Sequence, residues 1–168
     1  MSEENDEKNI IKFIGMCVMS FLIFGSSEKI IYLNLTDSVP RGVYVRVPKN
    51  KIMRGDYIVY EPTEKIQKIM VANGWSNGKE KFLKIVVGIS GDKYEIGENF
   101  IVNGKNLGEV LAKDSEGHEL PNIYGKYKVG AGEILPAGTN VKSFDGRYTG
   151  TIKESEIEAK VVPIILID

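Results

Sequence analysis

From about residue 29 onward, short runs rich in Val, Ile and Tyr alternate with Gly, Pro, Asn and Asp. Apolar runs of this length, bounded by turn-forming residues, are typical of β-strands. Asn103-Gly104 and Gly91-Asp92 are typical of tight turns, because Asn and Gly tolerate positive φ angles. The pattern therefore predicts a mainly β domain, either a sheet assembly or an open barrel. The predicted strands are 29–35, 42–47, 57–60, 82–88, 93–96, 100–102, 126–129, 133–135 and a last one near 160–167.

One segment between the strands has a helical period instead. Ile66, Ile69 and Met70 recur at the spacing that places side chains on one face of a helix, and Asn73-Gly74 ends the pattern. Thr63 precedes the segment, and its hydroxyl can accept a hydrogen bond from a first-turn amide. We therefore expect a small helical insert with Thr63 as its cap.

The N-terminal part has a different pattern from the rest. Residues 13–27 carry no charge and follow a polar start, and their apolar side chains cover every face of a helix without a polar stripe. Residues 10 and 11 extend the run toward the roughly 20 residues of a membrane span if Lys12 snorkels to the headgroups. We therefore predict that residues 10–27 contact lipid as an N-terminal hydrophobic helix rather than as a core helix.

This segment divides the chain into two predicted parts: a membrane anchor or signal segment at residues 1–27 and an extracytoplasmic domain at residues 28–168. Lys8 and Lys12 before the apolar run favour a cytoplasmic N-terminus, hence a single-pass inner-membrane protein with its domain in the periplasm or another extracytoplasmic space. Gly25 and Ser27 are small residues at the spacing of a signal-peptide cleavage site, so removal of the segment is the alternative.

Composition removes several classes of function. The chain has 22 Lys+Arg and 23 Asp+Glu, so nothing marks it as a nucleic-acid binder that neutralises phosphates. Cys17 is the only cysteine and His118 the only histidine, and the acidic residues are scattered. No metal site is therefore expected. Glycine-rich phosphate loops are also absent, and we expect no cofactor.

The single histidine also bears on the choice of catalytic mechanism. His118 lies in a polar stretch, DSEGHELP, which predicts an exposed loop and a solvated ring. A Ser-His-Asp triad needs a histidine held beside a serine and oriented by a carboxylate. A serine activated by a lysine remains as the candidate catalytic chemistry.

Ser38 is the serine that the local pattern singles out. It follows a predicted strand, and Pro40 has a fixed φ and favours an extended Val39, so the chain should turn with Ser38 exposed and rigidly held. An ordinary Ser-Val-Pro turn explains the same residues. The local pattern alone does not decide between these two interpretations.

The segment 34–44 has the pattern N-x-T-x-S-V-P-x-G-x-Y, which resembles the nucleophile motif of the TraF-type conjugative transfer signal peptidases, relatives of the type I signal peptidases. Further blocks resemble that family in the same order along the chain, and together they cover most of residues 30–150. These blocks are RGDYIV at 54–59, FLKIVVGISGD at 82–92, VNG at 102–104, the loop 114–121 and SFDGRYTG at 143–150.

The resemblance implies a signal-peptidase-like fold and a serine endopeptidase with Ser38 as nucleophile and Lys84 as general base. It also implies an oxyanion hole and a group of supporting residues. The implied oxyanion donors are Thr36 and the Ser38 amide, and the implied supporting residues are Ser143, Asp145 and Arg147.

Lys79 and Lys81 are the neighbouring alternatives to Lys84 as the base. Only Lys84 has apolar residues on both sides, within FLKIVV. Because burial disfavours a charged amine, that context can lower the lysine pKa from about 10.4 toward neutrality. A basic, neutral amine near physiological pH is what a serine nucleophile requires.

Three residues depart from the family pattern: Ile85 stands where Arg is common, Ser90 where Pro is common and Gly146 where Ser is common. None of them removes an implied catalytic atom. The implied partner is a peptide or protein substrate, either a pilin precursor processed for conjugative transfer or another exported preprotein. The alternatives are a catalytically silent binding or assembly module of a conjugation apparatus, and a general type I signal peptidase.

Overall fold

The computed structural model describes residues 29–167, together with Lys12, Gly15 and Met16. The predicted membrane segment at residues 10–27 and the predicted domain boundary at residue 27 therefore lie almost entirely outside the described residues. Within the described part, no helix combines the length and the apolar character that crossing a membrane requires.

The described chain is mainly β, as the apolar pattern predicts. Within residues 29–167 it has two α-helices, α1 (Glu64–Ala72) and α2 (Gly146–Thr149), and a short 3-10 helix at Glu154–Glu156. The strands are β1 (Ile31–Asn34), β2 (Gly42–Val47), β3 (Tyr57–Tyr60), β4 (Phe82–Ile89), β5 (Lys93–Ile96), β6 (Asn99–Val102), β7 (Lys105–Glu109), β8 (Gly125–Lys128), β9 (Glu133–Ala137), β10 (Ile152–Lys153) and β11 (Ile157–Leu166).

The strands form two antiparallel sheets. The larger sheet has seven strands in the order β1-β2-β11-β3-β4-β9-β10, and the smaller has four in the order β7-β6-β5-β8. Among the described strands, β1 is an edge strand that pairs only with β2. β4 pairs with β3 along Phe82–Ile85, but β9 joins its other side only from Ile85 onward. The backbone of Phe82–Lys84 thus has an edge that no described strand covers.

Apolar residues cover both faces of the larger sheet at its centre. In β3, Ile58 and Tyr60 pack into one buried cluster with Phe82 and Met70, whereas Val59 between them packs into another with Tyr32 and Tyr44. Burial on both faces explains why the β3 sequence, YIVY, is continuously apolar and does not alternate between apolar and polar residues. A third cluster joins the smaller sheet to Leu135 and Ala137 of β9.

Each predicted strand is present, with bounds that differ by a few residues. β7, β10 and α2 were not predicted. β7 has the sequence KNLGE and no fully buried residue, so the apolar alternation that reveals a half-buried strand is missing. The Asn103-Gly104 turn has the expected positive φ angles, 50° and 81°.

The predicted helical insert is α1, but the predicted side-chain cap is wrong. Thr63 does occupy the capping position, and its carbonyl accepts the Gln67 amide at 2.9 Å. Its hydroxyl makes no capping hydrogen bond. Glu64 in the first turn instead supplies a negative charge that favours a helix N-terminus.

The prediction of a solvated His118 is also wrong in part. Its side chain is 39% exposed, but Nδ1 lies 2.8 Å from Asp114 Oδ2 and the ring packs edge-on against Trp75. The polar loop pattern indicated exposure correctly, but it could not reveal a partner from the segment after α1, Trp75, or one from the loop's own turn, Asp114.

Candidate active site

Lys84 is a buried cation within β4. Side chains of β4 alternate between buried and half-buried positions, and Lys84 falls on the buried side with 3% exposure. Its Nζ donates to Ser143 Oγ at 2.9 Å and lies 5.0 Å from the centre of the Phe82 ring. Burial lowers the pKa of Lys84 from 10.5 to about 8, although the nearby Asp145 carboxylate opposes the shift and Arg147 favours it.

The alternative lysines are in different surroundings. Lys79 and Lys81 are exposed, and Lys81 forms an ion pair with Glu158. The hydrogen bond to Glu158 raises the pKa of Lys81. Of these three lysines, Lys84 is therefore the one whose surroundings favour a neutral amine near pH 8.

Asp145 and Arg147 form a fully buried ion pair next to Ser143. Asp145 is 0% exposed and Arg147 1% exposed, and Asp145 Oδ1 accepts from Arg147 Nε at 3.0 Å. Asp145 Oδ2 accepts the Gly138 amide at 2.6 Å, and the Arg147 guanidinium donates to the carbonyls of Val141 and Gly138 at 2.9 and 3.3 Å. The pair thus braces the loop 138–143, which ends at the serine that holds the Lys84 amine.

Ser38 lies in the turn between β1 and β2, half-buried, and lines the same cavity as Lys84. Its carbonyl accepts the Thr139 amide at 2.7 Å, which ties the turn to the loop that Asp145 and Arg147 brace. A Cβ at Gly138 would lie 2.2 Å from Ser143 Oγ and 2.6 Å from the Ser38 carbonyl oxygen. Glycine at 138 therefore allows the Ser38 turn and the Ser143 loop to meet.

Asn34 organises the Ser38 turn, although the sequence pattern suggested no role for it. Its side chain is buried, and Nδ2 donates to the carbonyls of Thr36, Val39 and Pro40 at 3.0 to 3.1 Å. Tyr44 donates its hydroxyl to the Pro40 carbonyl at 2.6 Å as well. The available signal in the sequence was a polar residue near the end of a predicted strand, just before Thr36-x-Ser38. An amide side chain at such a position must find hydrogen-bond partners when it is buried.

Thr36 is exposed beside Ser38, and its hydroxyl is already engaged. Thr36 Oγ1 donates to Asn34 Oδ1 at 2.8 Å. A hydroxyl has one proton to donate. Donation to a reaction intermediate would therefore require Thr36 to rotate away from Asn34.

Three of the motif blocks meet away from Lys84, in a structural joint between the sheets. Asp92 in the turn after β4 accepts from Arg54 Nε at 2.7 Å, from Asn103 Nδ2 at 2.9 Å and from the Ile89 amide at 2.8 Å. These bonds, led by that from Arg54, hold the pKa of the Asp92 carboxyl well below its usual range. The RGD, SGD and VNG blocks therefore have a shared structural role, because Arg54 and Asn103 both bind Asp92.

The structure shows the surroundings of the three residues that depart from the family pattern, which are Ile85, Ser90 and Gly146. Ile85 pairs with Tyr57 and Ala137 inside the sheet, and Ser90 is exposed at a turn. A Cβ at Gly146 would lie 2.4 Å from the Pro136 carbonyl oxygen, so a serine there would require the backbone to shift.

The cavity shared by Ser38 and Lys84 has a volume of about 880 Å³. β1, the Ser38 turn and the segment 79–84 leading into β4 all line it. This volume lies within the roughly 300–1,000 Å³ of typical ligand-binding clefts. In the part of the chain that the structure describes, no group of three or more His, Cys, Asp or Glu residues could hold a metal ion.

Comparisons with known proteins point to one family. The family model described as signal peptidase, peptidase S26, matches residues 8–166. Two Escherichia coli proteins named plasmid transfer protein TraF are each 27% identical over 145 residues, which span 79% of this chain and 81% of the relative. A crystal structure of a signal peptidase I from Enterococcus faecalis matches with a TM-score of 0.41 and 20% identity, over 67% of this chain and 98% of the other. The family model covers most of the chain, and so the chain belongs to the signal peptidase family, peptidase S26, and it is similar to the TraF proteins.

Proposed function

We propose that the chain is a serine endopeptidase with a Ser38–Lys84 dyad that processes a pilin precursor or another exported protein for conjugative transfer. The observation that carries the proposal is the buried Lys84, whose pKa is about 8, in the cavity that Ser38 also lines. Membership of a peptidase family and the two TraF relatives support the reaction class and the conjugation context.

In the proposed reaction, neutral Lys84 takes the proton of Ser38 while Ser38 Oγ attacks the scissile carbonyl. The Lys84 ammonium then gives that proton to the leaving amine, and water hydrolyses the acyl-enzyme by the reverse sequence of proton transfers. Ser143 keeps the Lys84 amine in place through its 2.9 Å hydrogen bond. Asp145 and Arg147 are positioning residues that act through the loop 138–143.

The developing oxyanion would be held by the Ser38 amide and by the Thr36 hydroxyl, once Thr36 releases Asn34. The substrate would lie extended between β1 and the uncovered edge at Phe82–Lys84, pairing with both through main-chain hydrogen bonds. We also propose that residues 10–27 anchor the chain in the inner membrane and that residues 28–168 form the extracytoplasmic domain.

The test compares Lys84→Arg and Ser38→Ala with the wild type, using full-length protein in detergent micelles and a purified pilin precursor from a conjugative plasmid. Arginine keeps the positive charge but does not release its proton in a protein, so both variants should lose cleavage at least 10³-fold. The wild-type kcat/KM should rise with pH through one ionisation near 8, because the neutral amine is the active form. Mass spectrometry of the shortened product measures all three rates.

Lys93→Arg, at an exposed position of β5, is the matched control and should keep wild-type activity. An active Lys84→Arg protein would contradict the dyad, as would a rate that rises only near pH 10. A wild-type protein that binds the precursor but never shortens it would instead favour the silent binding module.

A further inference from the structure

Beyond Lys84, the cavity continues along a wall of large apolar side chains. We call this wall the aromatic subsite, and it consists of Met70, Trp75, Phe82, Phe144 and Tyr148, all of which line the cavity. The centre of the Phe144 ring lies 5.2 Å from the ring centre of Trp75, 5.5 Å from that of Tyr148 and 6.4 Å from that of Phe82. These contacts form a continuous apolar wall, in which Trp75 and Phe144 are half-buried and the other three side chains are buried.

The indole of Trp75 is held in place by its polar edge. Nε1 donates to Asp114 Oδ2 at 2.6 Å, and Asp114 is itself fixed because its Oδ1 accepts the backbone amides of Glu116 and His118 at 2.9 and 2.8 Å. The Trp75 amide also donates to the Met70 carbonyl at 2.9 Å, which fixes the backbone after α1. Trp75 remains only half-buried, so part of its apolar surface is available for a ligand.

The aromatic subsite is continuous with the proposed catalytic residues. Phe82 lies two positions before Lys84 on the same face of β4, and the Lys84 amine is 5.0 Å from its ring centre. Phe144 directly follows Ser143, whose hydroxyl holds that amine. Alternate side chains of a peptide paired to the uncovered β4 edge would point to this face, because side chains alternate across a strand.

We infer that the aromatic subsite binds one bulky apolar side chain of the substrate, aromatic or long aliphatic, close to the cleaved bond. The inference rests on the proposed function, since it names the substrate class of the same site. An alanine at that position would leave the wall in contact with water, whereas Phe or Leu would bury it. Because burial of apolar surface favours binding, a peptide with Phe or Leu at that position should bind about 10-fold or more tightly than the same peptide with Ala.

The chain has a single tryptophan, so intrinsic fluorescence reports directly on this wall. The experiment uses full-length Ser38→Ala protein in detergent micelles, which keeps peptides intact. A peptide spanning the pilin-precursor cleavage site is varied to Ala, Leu or Phe at each position from three residues before the bond to three after it. Affinity is measured by anisotropy of dye-labelled peptides, and Trp75 emission is followed with unlabelled ones.

We expect one position at which Phe or Leu binds at least 10-fold more tightly than Ala and shifts the Trp75 emission. Trp75→Ala should reduce that preference to about 2-fold or less, whereas Tyr124→Ala, at an exposed aromatic outside the cavity, should leave it unchanged. The emission measurement needs no substitution in the aromatic subsite, so it stays informative if Trp75→Ala misfolds.

The outcomes separate this inference from the proposed function. A preference for Ala at every position, an emission unchanged by bound peptide, or no peptide binding at all would overturn the inference. An emission change that follows detergent concentration alone would assign the wall to acyl chains and overturn it as well. If the Phe or Leu peptides bind and shift Trp75 but the wild type cleaves none of them, the proposed function fails and the subsite remains.

Discussion

At the scale of single residues, the site depends on a lysine that is costly to bury. Lys84 is almost fully buried, and its amine donates a hydrogen bond to the neutral Ser143 hydroxyl. Its pKa falls from 10.5 to about 8, a difference that corresponds to about 3 kcal/mol at about 1.36 kcal/mol per pKa unit. Below pH 8 the folded protein must carry a buried charge that the unfolded chain exposes to water. The property that suits Lys84 to base chemistry therefore lowers stability.

We expect Lys84→Met to raise the free energy of unfolding at pH 7 by about 1–3 kcal/mol, because it removes the buried amine but also its hydrogen bond to Ser143. Between pH 8 and 10.5 the unfolded wild type holds a proton that the folded state has lost, so wild-type stability should rise with pH there. The Lys84→Met protein should lack that part of the rise. Urea unfolding of full-length protein in detergent at a series of pH values measures both. Lys93→Met is the control, and identical pH profiles for wild type and Lys84→Met would contradict the prediction.

At the scale of elements, β4 links the site to the rest of the fold. Its first half presents the uncovered edge and Lys84, whereas its second half pairs with β9 and ends at the turn that contains Asp92. Arg54 and Asn103 both donate to Asp92, so one carboxylate joins the start of β3, the end of β4 and the turn after β6. This joint fixes where β4 ends and how the smaller sheet meets the larger one.

Asp92→Asn should lower the free energy of unfolding by about 2–3 kcal/mol, since it replaces charge-assisted hydrogen bonds at a carboxylate whose side chain is only 8% exposed. Asp37→Asn is the matched control, because the Asp37–Arg41 pair is exposed and should contribute less than about 1 kcal/mol. The folded Asp92 carboxyl holds its proton less tightly than the unfolded one. Its contribution is therefore present above about pH 3.9 and is lost as the pH falls below that value. Equal destabilisation by both substitutions would refute the role of the joint.

At the scale of the whole molecule, one sheet face next to the site is apolar and exposed. Leu33, Val43 and Ile165 lie opposite one another across β1, β2 and β11, so they share a face of the sheet. Leu33 is 60% exposed and Ile165 57% exposed, and Leu35 continues the surface toward Ser38. An apolar surface of this kind is typical of interaction sites, and β1, which contributes Leu33 to it, begins shortly after the proposed membrane anchor. The proposed arrangement places Ser38 close to the outer surface of the inner membrane.

We expect protease added to intact spheroplasts to digest the domain at residues 28–168, because the proposed topology places it outside the cytoplasm. Immunoblotting with an antibody against the C-terminal strand measures the loss. A cytoplasmic marker protein should remain intact in the same sample. Digestion only after the spheroplasts are broken would show that the topology is reversed.

The sequence by itself was sufficient for the strands whose apolar positions alternate or run together, for the Asn103-Gly104 turn and for the α1 insert. These features depend on local spacing, which the chain carries in its own order. The resemblance also singled out Ser38, Lys84, Ser143, Asp145 and Arg147, to which we assign the proposed roles in catalysis. β7, β10 and α2 were missed because their residues are too few or have no clear apolar period.

Only the tertiary structure decided how those residues meet. Burial of the Lys84 amine depends on strands distant in sequence, as does the contact between the Ser38 and Ser143 loops at Gly138. The same is true of the Arg54–Asp92–Asn103 joint and of the aromatic subsite. A local pattern indicates which side chains are buried, but a pKa, a hydrogen-bond partner or a pocket wall is a property of groups brought together by long-range strand pairing.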